Sequence, residues 1–301
     1  MIISARSPLH YSVVIAAAVY YFLILPLSLL PMVVLYRVSD LLYLLVYYLV
    51  PYRKRVIQEN LKNAFPKKSS EEIHQLTQLY YRHFADLILE SIKAFSISEA
   101  EILKRMHCVN PEIFLPYVEK NQNVLVGGGH YNNYEWFGVT VGQQLPMSCS
   151  CIYKPLSNPF FEMKMKSSRE KYGLQIIPIR EVNAWFEKIK DLSHPSLTIF
   201  ATDQSPGSPS KAHWGTFLNQ DTPMTFGLEK NAKATNYPVF FGEIKKLKRG
   251  YYEFRFSLIS ADPKNEKHGF ITEEVQRRLE LQIIELPQYW LWSHRRWKHK
   301  R

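Results

Sequence analysis

The chain has 301 residues, a formal net charge of +11, and a composition that is 46% hydrophobic and 14% aromatic. A chain of this length can bury a full core as one large or two small domains. Its apolar content excludes a wholly disordered protein. The basic residues cluster, which predicts an anionic partner: nucleic acid, anionic lipid or an acidic protein. The clusters are residues 53–55, 67–68, 245–249 and 295–301.

The first predicted element is apolar. Residues 11–36 carry no charged side chain, and their core, Val13–Leu30, is long enough to cross a bilayer, which takes about 20 residues. A signal peptide and a buried helix are the alternatives, but no A-x-A-like cleavage site follows before Arg37. We predict one membrane-spanning or deeply anchored helix, bent or ended by Pro26 and Pro31. Residues 1–36 would form the anchor and residues 37–301 the main domain.

Charge next to this segment predicts its orientation. Positive residues follow it, at Arg37 and at 53–55, which favours a cytoplasmic location for the larger part of the chain. A second apolar stretch, Leu41–Val50, is by itself too short to span. We expect it to lie in the membrane interface, with its tyrosines at headgroup level and the basic residues on phosphates.

A capping box at Ser69–Glu72 predicts a helix that runs to about Phe95. His74 and His83 on this helix are expected to be surface and packing residues rather than ligands. The three cysteines, Cys108, Cys149 and Cys151, include a Cys-x-Cys pair, a weak metal signal without a second pair or nearby histidines. We expect reduced buried thiols and no metal site.

From Asn123 onward, short apolar runs alternate with helical patterns. Predicted strands are Val124–Val126, Ser148–Tyr153, Leu174–Ile179, Leu197–Thr202, Val239–Glu243 and Tyr252–Ile259. Predicted helices are Tyr134–Gln144, Pro159–Tyr172, Val182–Leu192, Phe226–Thr235 and Thr272–Glu285. The alternation predicts an α/β fold with a mixed, largely parallel sheet flanked by helices. Residues 204–222 read as a long Gly/Pro/Ser-rich loop, which is typically mobile or functional.

The segment Asn123–Gly138, NVLVGGGHYNNYEWFG, holds the candidate site. An apolar strand leads through three glycines to His130, and Glu135 follows on the next helix. The glycines are expected to turn the backbone sharply and to leave room for a ligand. Ligands of open α/β sheets bind at the carboxyl ends of strands. His130 is suited to act as a general base, and a carboxylate on its second ring nitrogen would orient it.

Glu135 could supply that carboxylate if His130 lies in the turn and Glu135 curls back from the helix. The simpler alternative is a histidine whose hydrogen bonds merely close the end of a strand. The chain lacks the G-x-S-x-G, G-x-x-x-x-G-K-[ST] and H-E-x-x-H motifs, and its glycine run lacks the third glycine of a dinucleotide fingerprint.

The segment GGGHYNNYEWFG resembles the H-x4-[DE] block of the bacterial lipid A acyltransferases, which make the late acylations of lipid A. Further segments resemble other blocks of that family in the same order along the chain. They are QENLKNAFP, IYKPLSNP, ATDQSPGS and LPQYWLWSHRRWKHKR. Two stretches depart from the family pattern: Ser210–Lys211 stands where an arginine is usual, and residues 222–227 are only loosely similar.

The resemblance implies a glycerolipid-acyltransferase-like fold behind an N-terminal membrane helix, at the cytoplasmic face of a bacterial inner membrane. It implies direct transfer of an acyl chain from an acyl carrier protein thioester, a cosubstrate, to a hydroxyl of a lipid A precursor, without a cofactor. His130 would be the base and Glu135 its orienting carboxylate. Arg169 falls at the family's essential arginine and Asp203 at its conserved aspartate, and both would serve substrate binding. An ion pair for Arg169 and a turn cap for Asp203 are the structural alternatives.

The basic clusters would then contact acyl carrier protein and anionic membrane lipids, and no nucleic acid partner is expected. The tryptophans of the C-terminal block suit either an interface or the core. Two alternatives stay open. One is an acyltransferase for another glycolipid, an aminolipid or a glycerophospholipid; the other is a non-catalytic adaptor that binds membranes or nucleic acid.

Overall fold

The structure is a computed structural model that describes residues 8–301, without the side chains of residues 8–11 and Lys211. Its α-helices, in chain order, are α1 Pro8–Val19, α2 Leu25–Leu29, α3 Met32–Leu44, α4 Lys54–Ala64, α5 Ser70–Lys93, α6 Glu99–Arg105, α7 Leu115–Glu119, α8 Tyr134–Gln144, α9 Pro159–Glu170, α10 Val182–Lys188, α11 Gly227–Thr235 and α12 Phe270–Glu285. Its strands are β1 Met106–Cys108, β2 Val124–Gly128, β3 Ser148–Tyr153, β4 Gln175–Pro178, β5 Ser196–Ala201, β6 His213–Phe217, β7 Gln220–Met224, β8 Val239–Lys248 and β9 Tyr251–Ser260.

Within residues 8–301, seven strands form one sheet in the order β1-β9-β8-β2-β5-β3-β4. All neighbours pair in parallel except β8 and β9, which are antiparallel. Two clusters of buried apolar residues cover the two faces. Leu125 packs into one with α12 and the C-terminal tryptophans, whereas Val124 and Val126 pack into the other with Trp136. The predicted α/β class, with a largely parallel sheet flanked by helices, is confirmed.

The predicted hydrophobic anchor is two helical segments rather than one. Pro31 ends the first segment, as expected for a residue that cannot donate to the preceding turn, and α3 begins at Met32. Residues 12–29 and 32–49 are each long and apolar enough to cross a membrane, with 17% and 28% of the residues buried. Buried core helices and N-terminal signal sequences can have the same length and composition.

The second segment corrects the treatment of Leu41–Val50 as a short, separate stretch. Residues 41–44 belong to α3, and a π-helical turn at Leu45–Leu49 continues it. The expected end of the anchor at residue 36 therefore lies inside a helix. Arg37 falls within that helix and does not mark its end.

The capping box is present as predicted: Ser69 accepts a hydrogen bond from the Glu72 backbone, and the Glu72 carboxylate accepts one from the Ser69 backbone. His83 is buried with its ring edge on Tyr289, so it is a packing residue. Cys149 is buried, whereas Cys108 and Cys151 are only half-buried.

The predicted 204–222 loop is wrong in its second half, where β6 and β7 form a hairpin. Its turn residues Leu218 and Asn219 both adopt positive φ, which leucine rarely does, so no Asn-Gly or Asp-Gly signal marks the turn. Tertiary contacts hold it instead. The Leu218 amide donates to Glu280, and the Asn219 side chain donates to the Ala64 carbonyl.

Candidate active site

The register of β2 against β5 brings two site residues together. Gly128 pairs with Ala201 in these parallel strands. His130 and Asp203 each follow two residues later, so both leave the sheet at the same edge, side by side. They come from positions 73 residues apart in the chain. Parallel pairing of two buried strands thus creates the contact.

His130 and Asp203 are joined by two hydrogen bonds. The ring Nδ1 lies 2.7 Å from Asp203 Oδ1, and the His130 backbone amide donates to Oδ2 at 2.8 Å. Trp290 Nε1 donates a third bond to Oδ2 at 2.8 Å. The aspartate is 2% exposed and the histidine 20%. A buried carboxylate therefore fixes a partly accessible imidazole, the arrangement of a base and its orienting group.

The two groups shift each other's ionisation. Burial opposes charge on His130, but the charge of Asp203 and its hydrogen bond outweigh burial, so the pKa of His130 is raised above 6.5. Burial would also raise the pKa of Asp203, yet His130 and the hydrogen bonds hold that pKa at about 2. Asp203 is therefore ionised at neutral pH and accepts the Nδ1 proton. The lone pair of neutral His130 is consequently on Nε2.

Gln204 lies at that second ring nitrogen. Its Nε2 amide is 3.3 Å from His130 Nε2, a distance that suits a weak donor to the lone pair. The ring of Tyr134 packs edge-on against the imidazole, with centroids 4.8 Å apart. An incoming hydroxyl that gives its proton to Nε2 must displace the Gln204 amide.

The C-terminal segment, residues 286–301, holds the backbone next to Asp203 and Gln204 by hydrogen bonds. His294 Nε2 accepts a hydrogen bond from the Ser205 amide at 3.0 Å, and burial lowers the pKa of His294 to about 4, so it stays neutral. His299 Nε2 donates to the Pro206 carbonyl at 3.1 Å. Trp290 is 2% exposed. The sequence left open whether the C-terminal tryptophans lie at a membrane interface or in the core, and Trp290 lies in the core.

Glu135 is not where the sequence argument expects it. Its carboxylate forms a bidentate pair with Arg169, with Arg169 Nη2 at 2.8 and 3.0 Å and Nε at 3.1 Å from its oxygens. Nδ1 of His130 is occupied by Asp203, so Glu135 does not orient the base through a hydrogen bond. Glu135 lies in the first turn of α8 and faces Arg169 of α9 instead. It still contributes to raising the pKa of His130 through its charge.

The glycine run has a different function from the expected sharp turn. None of the three glycines has positive φ; Asn132 does, with its side chain donating to the Ile244 carbonyl. A Cβ on Gly129 would lie 2.5 Å from Leu279 and 3.1 Å from Asp203 Oδ2. The space above the strand is thus filled by α12 and the aspartate rather than left for a ligand.

Comparison with known proteins identifies the family of the chain. The family model described as bacterial lipid A biosynthesis acyltransferase matches residues 4–299. The chain belongs to this family. It is therefore an acyltransferase. It is 21% identical over 252 residues, 82% of this chain, to the lipid A biosynthesis palmitoleoyltransferase of Escherichia coli K12, of which the match covers 79%. The lipid A biosynthesis acyltransferase of Shigella flexneri matches with the same identity and coverage.

The structure brings the four residues singled out from the sequence into one region, but in pairs other than the expected ones. The structure brings His130 to Asp203 and Glu135 to Arg169, and places the two pairs next to each other. Gln204 and Trp290 were missed as site-building residues. Both stand in segments whose family resemblance was visible, next to Asp203 and in the C-terminal block, so the signal was present without the geometry.

Proposed function

We propose that this acyltransferase moves a fatty acyl chain from an acyl carrier protein thioester to a hydroxyl of a lipid A precursor, with His130 as general base. The observation that carries the mechanism is the His130–Asp203 pair at the carboxyl edge of β2 and β5. The family and the names of the two relatives support lipid A as the acceptor class.

The transfer occurs without an acyl-enzyme. The acceptor hydroxyl displaces the Gln204 amide, gives its proton to Nε2 of His130 and forms a carbon–oxygen bond with the thioester carbonyl. The tetrahedral intermediate collapses as the carbon–sulfur bond breaks. The leaving thiolate of the donor takes the proton from the imidazolium, which returns the base to its neutral form.

Asp203 takes the orienting function that Glu135 was expected to have. It fixes the Nδ1–H tautomer and stabilises the imidazolium that forms during attack. The Glu135–Arg169 pair lies beside this base, with 14% and 25% of the side chains exposed. Arg169 would hold a phosphate of the lipid acceptor or of the donor's phosphopantetheine arm through the guanidinium donors that Glu135 does not occupy.

The apolar helices and the basic residues support a location at the inner membrane. Residues 12–29 and 32–49 would anchor the protein in the inner membrane, with the site at the cytoplasmic face. The net charge of +11 would favour approach of acidic acyl carrier protein and contact with anionic lipids. Arg55, of which 91% of the side chain is exposed, is one candidate for lipid contact.

The test is transfer by the detergent-purified protein. Acyl carrier protein thioesters of several chain lengths are offered with a lipid A precursor, and the acylated lipid is identified by mass spectrometry. His130→Ala should abolish detectable transfer, whereas His107→Ala, which removes an exposed histidine outside the site, should leave transfer unchanged. Persistent transfer in His130→Ala would refute the assignment of the base.

The same assay separates the acceptor classes. Glycerophospholipid, another glycolipid and an aminolipid are offered in place of the lipid A precursor. Acylation of one of these, with the lipid A precursor left unmodified, would retain the chemistry and replace the acceptor. No transfer to any acceptor, with unchanged membrane binding in His130→Ala, would favour the non-catalytic adaptor.

A further inference from the structure

Glu90 is a buried carboxylate in the last turn of α5 that the proposed transfer mechanism does not use. It is 0% exposed. Three side chains from three different elements donate to it. Tyr36 Oη of α3 donates to Oε1 at 2.7 Å, Asn133 Nδ2 donates to Oε2 at 2.7 Å, and Tyr252 Oη of β9 donates to Oε2 at 2.8 Å.

Two of the contacts of Glu90 reach the active-site turn. Asn133 is the N-cap of α8, and its Oδ1 accepts from the Trp136 amide at 2.8 Å. Trp136 Nε1 in turn donates to the backbone carbonyl of Glu90 at 2.7 Å. Asn133 stands three residues after His130 and two before Glu135. Glu90 therefore fixes the direction in which the chain leaves His130 and enters the helix that carries Glu135.

The third contact leads to the apolar N-terminal region. Tyr36 belongs to α3, which packs along α5 in the second apolar segment, residues 32–49. A single carboxylate thus joins a helix of the proposed anchor to the N-cap of α8. Removal of its charge would loosen this connection, because a neutral group has fewer acceptor positions and at least one of the three donors would lose its acceptor.

We propose that Glu90 is a positioning residue for acyl transfer, which couples the seating of α3 to the geometry of the His130–Glu135 turn. The proposal rests on the proposed function of His130. Glu90 acts through Asn133 and touches neither substrate nor the base.

The charges around Glu90 make this connection sensitive to pH. Burial, the largest effect, and the neighbouring Asp86 raise its pKa, while Lys246 and the hydroxyls of Tyr36 and Tyr252 lower it, and the result is a pKa of about 7. Above that pH the carboxylate accepts all three bonds. Below it, the added proton occupies one acceptor position and one donor must turn away.

The experiment compares Glu90→Gln with Glu229→Gln in the transfer assay. Glu229 is a matched control: it is also 0% exposed and accepts three hydrogen bonds, from the Gly269 and Thr272 amides and the Thr272 hydroxyl, far from His130 in the chain. Glu90→Gln should lower kcat by about 10-fold and leave KM for the thioester unchanged, because the base is displaced and not removed. Glu229→Gln should leave kcat of the folded protein unchanged.

The pH profile distinguishes positioning from simple loss of fold. Above pH 7 the wild type should have a kcat about 10-fold higher than that of Glu90→Gln, and this ratio should fall towards 1 as the pH drops below about 7 and Glu90 is protonated, while His130 gives both proteins the same acid limb with a slope of about 1. Equal kcat in the two proteins across this pH range would overturn the proposal. An equal loss of kcat in Glu229→Gln would overturn it as well.

Tyr36→Phe keeps the test decisive if Glu90→Gln does not fold. Tyr36→Phe removes one donor to Glu90 and retains the carboxylate, so kcat should fall by about 3-fold. Tyr81→Phe is the control: it loses a hydroxyl hydrogen bond to the Tyr52 carbonyl and should leave kcat unchanged. An unchanged kcat in Tyr36→Phe would contradict the coupling. His130→Ala in the same series tests the assignment of the base separately. Unchanged transfer in His130→Ala would refute the base, whereas unchanged kcat in the Glu90 and Tyr36 variants would refute the positioning by Glu90.

Discussion

Asp203 and Glu90 are two buried carboxylates that accept the same number of hydrogen bonds, but their pKa values are shifted in opposite directions. Asp203 accepts three bonds and its pKa is lowered to about 2, whereas Glu90 accepts three bonds and its pKa is raised to about 7. The difference lies in the partners. A group that can carry positive charge, His130, faces Asp203 directly, but the donors to Glu90 are neutral hydroxyls and an amide.

The comparison teaches that hydrogen bonds alone do not keep a buried carboxylate ionised. Desolvation opposes the charge in both, and only a direct charged partner outweighs it. The same physics suits the two proposed tasks. A permanently ionised Asp203 fixes one tautomer of the base, while a carboxylate that titrates near neutral pH makes the coupling of α3 to the active-site turn adjustable.

The largest effect is expected from Asp203→Asn. An asparagine amide facing Nδ1 favours the wrong tautomer of His130, so kcat should fall by about 10³- to 10⁴-fold. The acid inflection of the rate should also shift to lower pH, because the charge that raises the pKa of His130 is gone. Steady-state transfer across pH measures both.

Glu135→Gln is the control for that prediction. It breaks the ion pair with Arg169 and leaves Nδ1 paired with Asp203, so kcat should fall by only about 10-fold. A greater loss in Glu135→Gln than in Asp203→Asn would return the orienting function to Glu135.

A smaller effect is expected from Trp290→Phe, which removes one of the three donors to Asp203. A bond to a charged group is worth about 1.5–3 kcal/mol, so the unfolding free energy should fall by that amount and kcat by about 10-fold. Trp292→Phe is matched: its buried indole donates to the Pro287 carbonyl and not to Asp203. It should lose about 1 kcal/mol of stability and keep kcat. Equal kcat values in the two variants would show that Trp290 does not act through Asp203.

The smallest effect is on stability, and its sign differs between the carboxylates. Asp203 stabilises the fold above its ordinary pKa of 3.8, and this contribution, about 2 kcal/mol, is lost as the pH falls towards about 2. Glu90 has the opposite sign: its raised pKa makes the fold lose stability as the pH rises from 4.5 to about 7.

Urea unfolding at a series of pH values measures both contributions as differences from the variants. The unfolding free energy of the wild type minus that of Asp203→Asn should rise with pH between about 2 and 4. The unfolding free energy of the wild type minus that of Glu90→Gln should fall between about 4.5 and 7. Slopes of the same sign would contradict the account of how the partners set the two ionisations.

The sequence by itself determined the α/β class, the capping box at Ser69 and most strand and helix positions, because these depend on local hydrophobic period and caps. It also singled out the four candidate site residues, His130, Glu135, Arg169 and Asp203, since their types and ordered blocks are visible along the chain. It could not determine the β6–β7 hairpin, whose turn is held by Glu280 and Ala64 rather than by its own residues.

Only the tertiary structure decided which carboxylate meets the histidine. The β2–β5 register sets Asp203 beside His130, whereas the direction of α8 turns Glu135 towards Arg169. Spacing along the sequence does not reveal these contacts, because strand pairing brings together residues as distant as His130 and Asp203, 73 positions apart. The same holds for Glu90, whose burial among donors from three elements exists only once those elements are packed.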